Sequence, residues 1–447
     1  MNAGKVILGA MVCLGAGLIL GMSATPAAAQ YGPILSGAGP INRSMGGAAT
    51  GSPLSASGAL MWNPASLSGL KRSELDVGAE LLFPHTSLSS SIFGGAFSGS
   101  TNNEDSVFAL PTIALAFRPD ESPFTYGLGM FAVAGFGLNY PASLTNPVLL
   151  PQPLGVGPLF SQYQVLQIAP ALVYDVTDQL SVSVSPLIDI GMGQLDPALF
   201  ANVGASGYPS GTHSSQSWGA GFSLGAFYKA GNWDFGASYK SKQWFQQYDF
   251  NTVDPTTFLP LQIGLSLDLP QIVSVGASYK GIDRWLLATD VRYIDFSNTG
   301  AFGNSGFTPV LPGPTGGALR GLGMQDILVV ALGAQYQMTD ALSLRGGYSW
   351  SENPIPDSQS TANAASPLII QHMLSAGASY QVTDAFSLSV AYMHAFENSI
   401  TASPIVLATG PVPGGPSSIT NTASVDSILI GATVKFGCPK CGAHLAH

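Results

Sequence analysis

The chain has 447 residues, and only 9% of them are Asp, Glu, Lys or Arg, against about 25% in an ordinary soluble domain. Hydrophobic residues make up 46%, glycines number 54, and the formal net charge is −10. The absence of any basic run excludes a nucleic-acid binder, and so little charge implies that much of the outer surface does not face water.

Residues 1–29 read as a signal peptide. Lys5 supplies the positive start, residues 6–22 form an apolar run too short and Gly-rich for a membrane span, and "ATPAAAQ" offers small residues for cleavage after Ala29. Cys13 lies inside the apolar run, not at the cleavage site where a lipoprotein cysteine stands. No later segment reads as a membrane helix. An exported, charge-poor chain without helical spans has one membrane option, a closed β-barrel.

Residues 30–72 alternate poorly and are dominated by small side chains, which let backbone pack closely or turn sharply. The Gly-Ala-Gly start, the "RSMGGAAT" run with Arg43, Gly46 and Gly47, and "WNPASL" with Asn63, Pro64 and Ala65 resemble the N-terminal hatch of the FadL-type family. That resemblance implies an outer-membrane transporter of long-chain fatty acids or aromatic hydrocarbons. It also implies a fourteen-stranded barrel whose N-terminal segment plugs the lumen. Pro cannot donate to a ladder and Asn before it favours a turn, so Asn63-Pro64-Ala65 suits the end of a plug. Many members carry acidic residues a little upstream of that signature; "TGSPLSASGAL" has none, so the family's polar plug contacts are not carried over.

From residue 73 onward the pattern has a period of two. "DVTDQLSV" at 175–182, "QMTDALSL" at 337–344 and "QVTDAFSLSV" at 381–390 each place a Thr-Asp turn before an apolar/Ser alternation. Asp and Thr side chains bond local backbone in tight turns. Phe386, Leu388, Val390 and Tyr392 then share one face, and Ser387, Ser389 and Ala391 the other. Similar turn chemistry recurs at 118–123, 229–233 and 280–285. These six turns predict fourteen strands, at 74–83, 107–118, 124–136, 164–176, 180–191, 217–229, 233–241, 271–280, 285–296, 326–338, 342–350, 372–381, 386–397 and 426–436. The fold class is therefore all-β, a fourteen-stranded antiparallel transmembrane barrel over 73–436. Short turns face the periplasm and seven long loops the exterior. Trp233, Tyr239, Tyr279, Trp285, Tyr293, Tyr336, Tyr380 and Phe436 fall near strand ends, where interfacial girdles form. A β-solenoid would repeat at a shorter period, and a sandwich does not explain fourteen strands in up-down order.

Three loops, at 141–160, 256–270 and 402–415, are strongly apolar, as a groove that captures apolar ligand would be. In the family, as the resemblance implies, the solute is caught by such loops and leaves sideways into the membrane at an inward kink in the third strand, while the plug shifts. The third strand here carries Gly127, Gly129, Gly135 and Gly137, with the opening expected near Gly135 and Gly137. By alternation Lys240, Lys280, Arg292 and Arg345 face inward and could hold a carboxylate. Asp234 and Asp290 also face inward, where they could pair with those cations.

After Phe436 the chain adds "GCPKCGAHLAH". Cys438, Cys441, His444 and His447 could bind zinc tetrahedrally, while a disulfide between Cys438 and Cys441 is the alternative in an oxidising periplasm. No other cofactor is expected. His85, His213, His372 and His394 lack a neighbouring nucleophile pattern, so no enzyme is expected. The expected function is passive uptake of hydrophobic small molecules across the outer membrane of a Gram-negative bacterium; a general porin for small polar solutes is the alternative. The expected partners are that solute, outer-membrane lipid and the barrel assembly machinery.

Overall fold

Each strand pairs with its chain neighbour, and the last returns to pair with the first. A computed structural model describes residues 30–437 apart from 105–106, 205, 212, 255–256, 307–317, 408–409 and 412–414. The fourteen barrel strands are β1 (Ser73–Ile92), β2 (Phe108–Phe117), β3 (Phe124–Tyr140), β4 (Leu159–Asp175), β5 (Leu180–Asp196), β6 (Ser215–Ala230), β7 (Trp233–Lys240), β8 (Gln271–Tyr279), β9 (Trp285–Asp295), β10 (Ile327–Gln337), β11 (Leu342–Ser351), β12 (His372–Thr383), β13 (Phe386–Ala402) and β14 (Ser418–Phe436). Every pairing is antiparallel, and β14 against β1 closes the barrel in unbroken register from Ser418↔Ser91 to Phe436↔Ser73.

The predicted count and the predicted turns are borne out, and the periplasmic ends fall within a residue or two of expectation. The outer ends differ. β1 runs to Ile92 where 83 was expected, and β14 begins at Ser418 where 426 was expected. The added residues are rich in Ser and Thr on both faces, so they carry no lipid-facing alternation to read. These extensions lift part of the wall above the membrane: β1, β3–β6, β13 and β14 have 16–20 residues, whereas β7–β12 have 8–12. Ten residues tilted by about 45° already cross the roughly 25 Å apolar band.

The outer face carries exposed Val182, Val184, Val273, Val275, Leu388, Val390, Ile428 and Ile430. Inward positions on the same strands include the buried Ser181, Ser183, Ser274, Ser278, Ser387, Ser389 and Ser427. Among the described residues no helix is long and apolar enough to cross a membrane.

The lumen is filled by residues 30–72, nearly all buried. They form two short strands (Gln30–Tyr31 and Ile34–Leu35), helix α1 (Gly39–Ser44), helix α2 (Ala56–Trp62) and a 3-10 turn (Pro64–Gly69). Ser55 caps α2 by accepting from Gly58 N at 3.2 Å. Asn63 ends α2 and caps the next turn by accepting from Ala65 N at 3.2 Å, while Pro64 sits where no N–H is needed.

Candidate functional site

The plug is held by acids of the barrel wall. Glu74 accepts from Ala56 N at 2.7 Å, and Asp76 accepts from Ser57 N and Oγ at 3.0 and 3.1 Å, so two carboxylates meet the donor end of α2. Glu80 pairs with the fully buried Arg43. Asp290 on β9 accepts from Ala49 N, Thr50 N and Thr50 Oγ1 at 2.8–2.9 Å. The plug has no acid of its own upstream of Asn63, yet its polar contacts exist because the wall supplies the carboxylates. Chain order hid this, since Glu74, Asp76 and Glu80 belong to the first barrel strand and not to the plug.

The signature residues sit at closures. Asn63 Nδ2 donates to Thr50 O at 2.8 Å and to Ala226 O of β6 at 2.9 Å, tying the plug to itself and to the wall. Gly46 has φ +67°, and a Cβ there would lie 2.7 Å from Tyr348 O and 2.8 Å from Leu332 O. The plug therefore touches bare strand backbone, which only glycine permits. At the periplasmic end Arg118 Nη1 and Lys229 Nζ donate to Leu67 O and Ser68 O, each at 3.1 Å, and so tie the end of the 3-10 turn to the wall.

The third strand departs from the barrel. β2 and β3 stay paired from Phe117↔Tyr126 to Thr112↔Phe131, and no pair follows. β2 itself continues on β1 to Leu82↔Phe108. Pro111 brings no N–H to the ladder at the point where it stops. On its other side β3 slips register against β4 between Ala132 and Ala134, which leaves Val133 as an extra residue, the geometry of a bulge. The freed edge of β3 is taken by the plug: Ile34 pairs with Ala134, Gly135 N donates to Pro33 O at 3.0 Å, and Gln30 Nε2 bonds Gly135 O. Further out, Asn139 N donates to Asn103 Oδ1 at 2.6 Å and its carbonyl accepts from Glu104 N at 2.9 Å. Between these limits residues 108–111 and 132–138 share no ladder. Gly135 and Gly137 lie in this gap. Gly127 and Gly129 lie below it, where the ladder is intact; a Cβ on Gly127 would meet Leu60 and Leu67 of the plug at 2.7 and 2.8 Å.

Two cavities flank the gap. One, of about 70 Å³, is lined by Phe136, Tyr163, Phe200, Phe250, Leu267 and Leu322 among others, with Arg320 at its edge. The other, of about 30 Å³, is lined by Gln30, Gly32, Thr86, Gly137 and Ile370. They share Phe136, Ala365 and Ser366. Tyr163 anchors the aromatic cluster, with ring centroids at 5.4 Å from Phe136, 6.0 Å from Phe302 and 6.4 Å from Tyr248. Tyr248 lies on an outer hairpin formed by Tyr248–Val253 and Pro260–Leu265. Burial pushes its phenol above the ordinary range, so it stays neutral.

The apolar loops divide between packing and exposure. Val148 and Leu149 are buried, while Leu144 and Leu154 are 77% and 80% exposed. Leu267 and Leu269 are buried, while Phe258 is 80% exposed. Of the third loop, residues 408–409 and 412–414 lie outside the described residues.

The inward cations are not brought to these cavities. Lys280 pairs with Asp234 at 2.9 Å near the periplasmic end. Arg292 pairs with Asp290, donates to Gly47 O at 2.7 Å, and stacks 3.8 Å from the Trp62 ring centroid. Lys240 lies 5.9 Å over the same ring and reaches Gln167 Oε1 at 3.4 Å; Gln167 in turn donates to Asp189 at 2.7 Å. Arg345 donates to Gln335 Oε1 at 2.7 Å and Ser379 Oγ at 2.6 Å in a polar periplasmic vestibule of about 670 Å³. Cys438, Cys441, His444 and His447, like residues 1–29, lie outside the described residues. Among the described residues no group of three or more His, Cys, Asp or Glu is arranged to hold a metal ion.

The comparisons with known proteins agree with this geometry. The toluene transporter TodX of P. putida aligns with a TM-score of 0.65 at 17% identity, over 90% of this chain and 99% of that one. A Pseudomonas aeruginosa FadL homologue gives 0.69 at 16%, over 91% and 100%. The Ralstonia pickettii toluene transporter TbuX gives 0.61 at 19%, over 90% and 99%. At such identities they share the fold with this chain. No curated protein sequence matches it significantly. The family described as outer membrane protein transport protein (OMPP1/FadL/TodX) matches residues 18–436, and with that span of the chain matched, this protein belongs to that family of outer-membrane transport proteins, which are channels and not enzymes.

Proposed function

We propose that the chain carries hydrophobic small molecules inward across the outer membrane, either long-chain fatty acids or aromatic and aliphatic hydrocarbons. They enter the aromatic cavity beneath the outer loops and leave sideways through the gap beside β3. One observation carries this reading: the aromatic cavity, the unladdered stretch of β3 and the docked start of the plug meet at Phe136 and Gly137. The similarity to transporters described as carrying toluene supports the same substrate class.

An apolar solute gains on leaving water, by about 25 cal/mol per Å² of apolar surface buried, so the path runs downhill into lipid without an energy source. The cavities of about 70 and 30 Å³ are smaller than the roughly 150 Å³ that accommodates benzene in an engineered core. Passage therefore requires the aromatic cluster or residues 30–35 to move. Because Gly135 bonds Gln30 and Pro33, movement of the plug start and widening of the gap are one event.

A general porin needs an open aqueous lumen, and here the plug fills it. Cells producing the full chain should take up radiolabelled toluene or oleate several-fold faster than cells without it. The purified protein in a planar bilayer should give no steady large ionic current. A large steady current without hydrocarbon or fatty-acid uptake would identify a porin instead.

A further inference from the structure

Six of the chain's 15 lysines and arginines line one cavity, the periplasmic vestibule of about 670 Å³. They are Lys71, Arg72, Lys229, Lys280, Arg345 and Lys435, gathered in a chain whose net charge is −10. Several of them are held by neutral oxygens. Arg345 stands on β11, three residues in from its periplasmic end, and donates to Gln335 Oε1 and Ser379 Oγ. Arg72 donates to the carbonyls of Gly437 and Asp384 at 3.1 and 3.3 Å, and Lys229 to Ser68 O at 3.1 Å. Four acids share the lining, and their places are taken or lie at the rim. Glu74 accepts from the donor end of the plug helix α2, Asp234 holds Lys280 at 2.9 Å, and Asp340 and Asp384 stand exposed on the turns. The interior is left cationic.

The volume falls in the range of ligand pockets, about 300–1,000 Å³. Only short turns rim the mouth, so an extended segment of another chain can enter. Three features select the occupant. The cations call for carboxylates, which a guanidinium meets with paired bonds. The side-chain amides of Gln335, Gln337 and Gln381 offer the donors and acceptors that a peptide backbone needs. Pro53, Leu54 and Leu286 add apolar surface that a small inorganic anion has no use for.

We propose that the vestibule is the docking site for an acidic, partly apolar peptide segment of a periplasmic partner protein. Lys71 and Arg72 end the plug, whereas Arg345 and Lys435 belong to the wall, so an occupant joins plug to wall. The site lies at the opposite end of the lumen from the aromatic cavity, and the inference stands independently of the uptake reading.

The test measures fluorescence anisotropy of a labelled hexapeptide of alternating glutamate and leucine, titrated with the purified full chain in nonionic detergent. The peptide should bind, and its glutamine–leucine counterpart should not. Raising salt from about 10 to 150 mM shortens the Debye length from roughly 30 to 8 Å and should weaken binding several-fold. Arg345→Gln should weaken it by about three- to tenfold, as loss of a charge-assisted bond does. Lys435→Gln should weaken it by about two- to fivefold, since that group is more exposed. Arg345→Lys should retain part of the affinity. The two positions lie on different strands, so a failure of one variant to fold leaves the other, and heat-dependent mobility on gels reports folding for each. Absence of binding at low salt, equal binding of the glutamine peptide, or wild-type affinity in both folded variants overturns the proposal. Pyrophosphate that binds as tightly as the peptide overturns it too, because the site then takes small anions.

Discussion

Arg43 has no route to water, and Glu80 is the carboxylate that compensates it. Glu80→Ala leaves that guanidinium buried without its acid, which costs about 3–5 kcal/mol. The expected result is a plug that loosens while the barrel persists, read as faster proteolysis of residues 30–72 in the folded protein. Glu80→Ala together with Arg43→Met should recover much of the loss, because the stranded charge is then gone. At Asn63 the expectation is smaller. Asn63→Ala strands Thr50 O and Ala226 O and should cost about 1–3 kcal/mol, measured as a lower unfolding midpoint in detergent. The sequence marked Arg43 and Asn63, because glycine runs and an Asn-Pro turn are local. It could not mark Glu80 as the wall carboxylate that meets Arg43, nor Asp290 as the acceptor of the Ala49 and Thr50 amides, which lie some 240 positions before it.

At the scale of elements the departure of β3 is the decisive feature. Three causes coincide: Pro111 lacks a donor where the pairing of β2 with β3 stops, Val133 adds a residue against β4, and the plug takes the freed edge at Ala134 and Gly135. Deleting Val133 removes the extra residue and restores a continuous register with β4. The strand then straightens toward β2, and uptake should fall strongly while the folded band on gels persists; undiminished uptake would show that the bulge is not needed. The family resemblance pointed to this strand, and its glycines, taken as candidates for the opening, included Gly127 and Gly129, which face Leu60, Leu67 and Phe131. Their role is steric, since strand glycines serve close packing as well as bends. The periodicity was informative wherever one face met lipid, and silent for the outer ends of β1 and β14, where both faces are polar.

For the whole molecule, the low charge and the closed ladder are the same fact seen at two levels. A wall with Val, Leu and Ile outward needs lipid or detergent around it, and strand closure leaves no edge to satisfy. The strand count could be read because six turns share one chemistry. The aromatic cavity was less legible, because Phe136, Tyr163, Phe200 and Phe250 come from four separate segments that only barrel closure brings together. The central claim is that hydrophobic solute leaves through the gap beside β3. Its most direct test is uptake of radiolabelled toluene and oleate by cells producing Gly135→Trp or Gly137→Trp, with folded protein in the outer membrane quantified in parallel. Uptake at the level of cells lacking the protein, with the barrel assembled in normal amount, is the predicted result; uptake at the wild-type rate by both variants would contradict it.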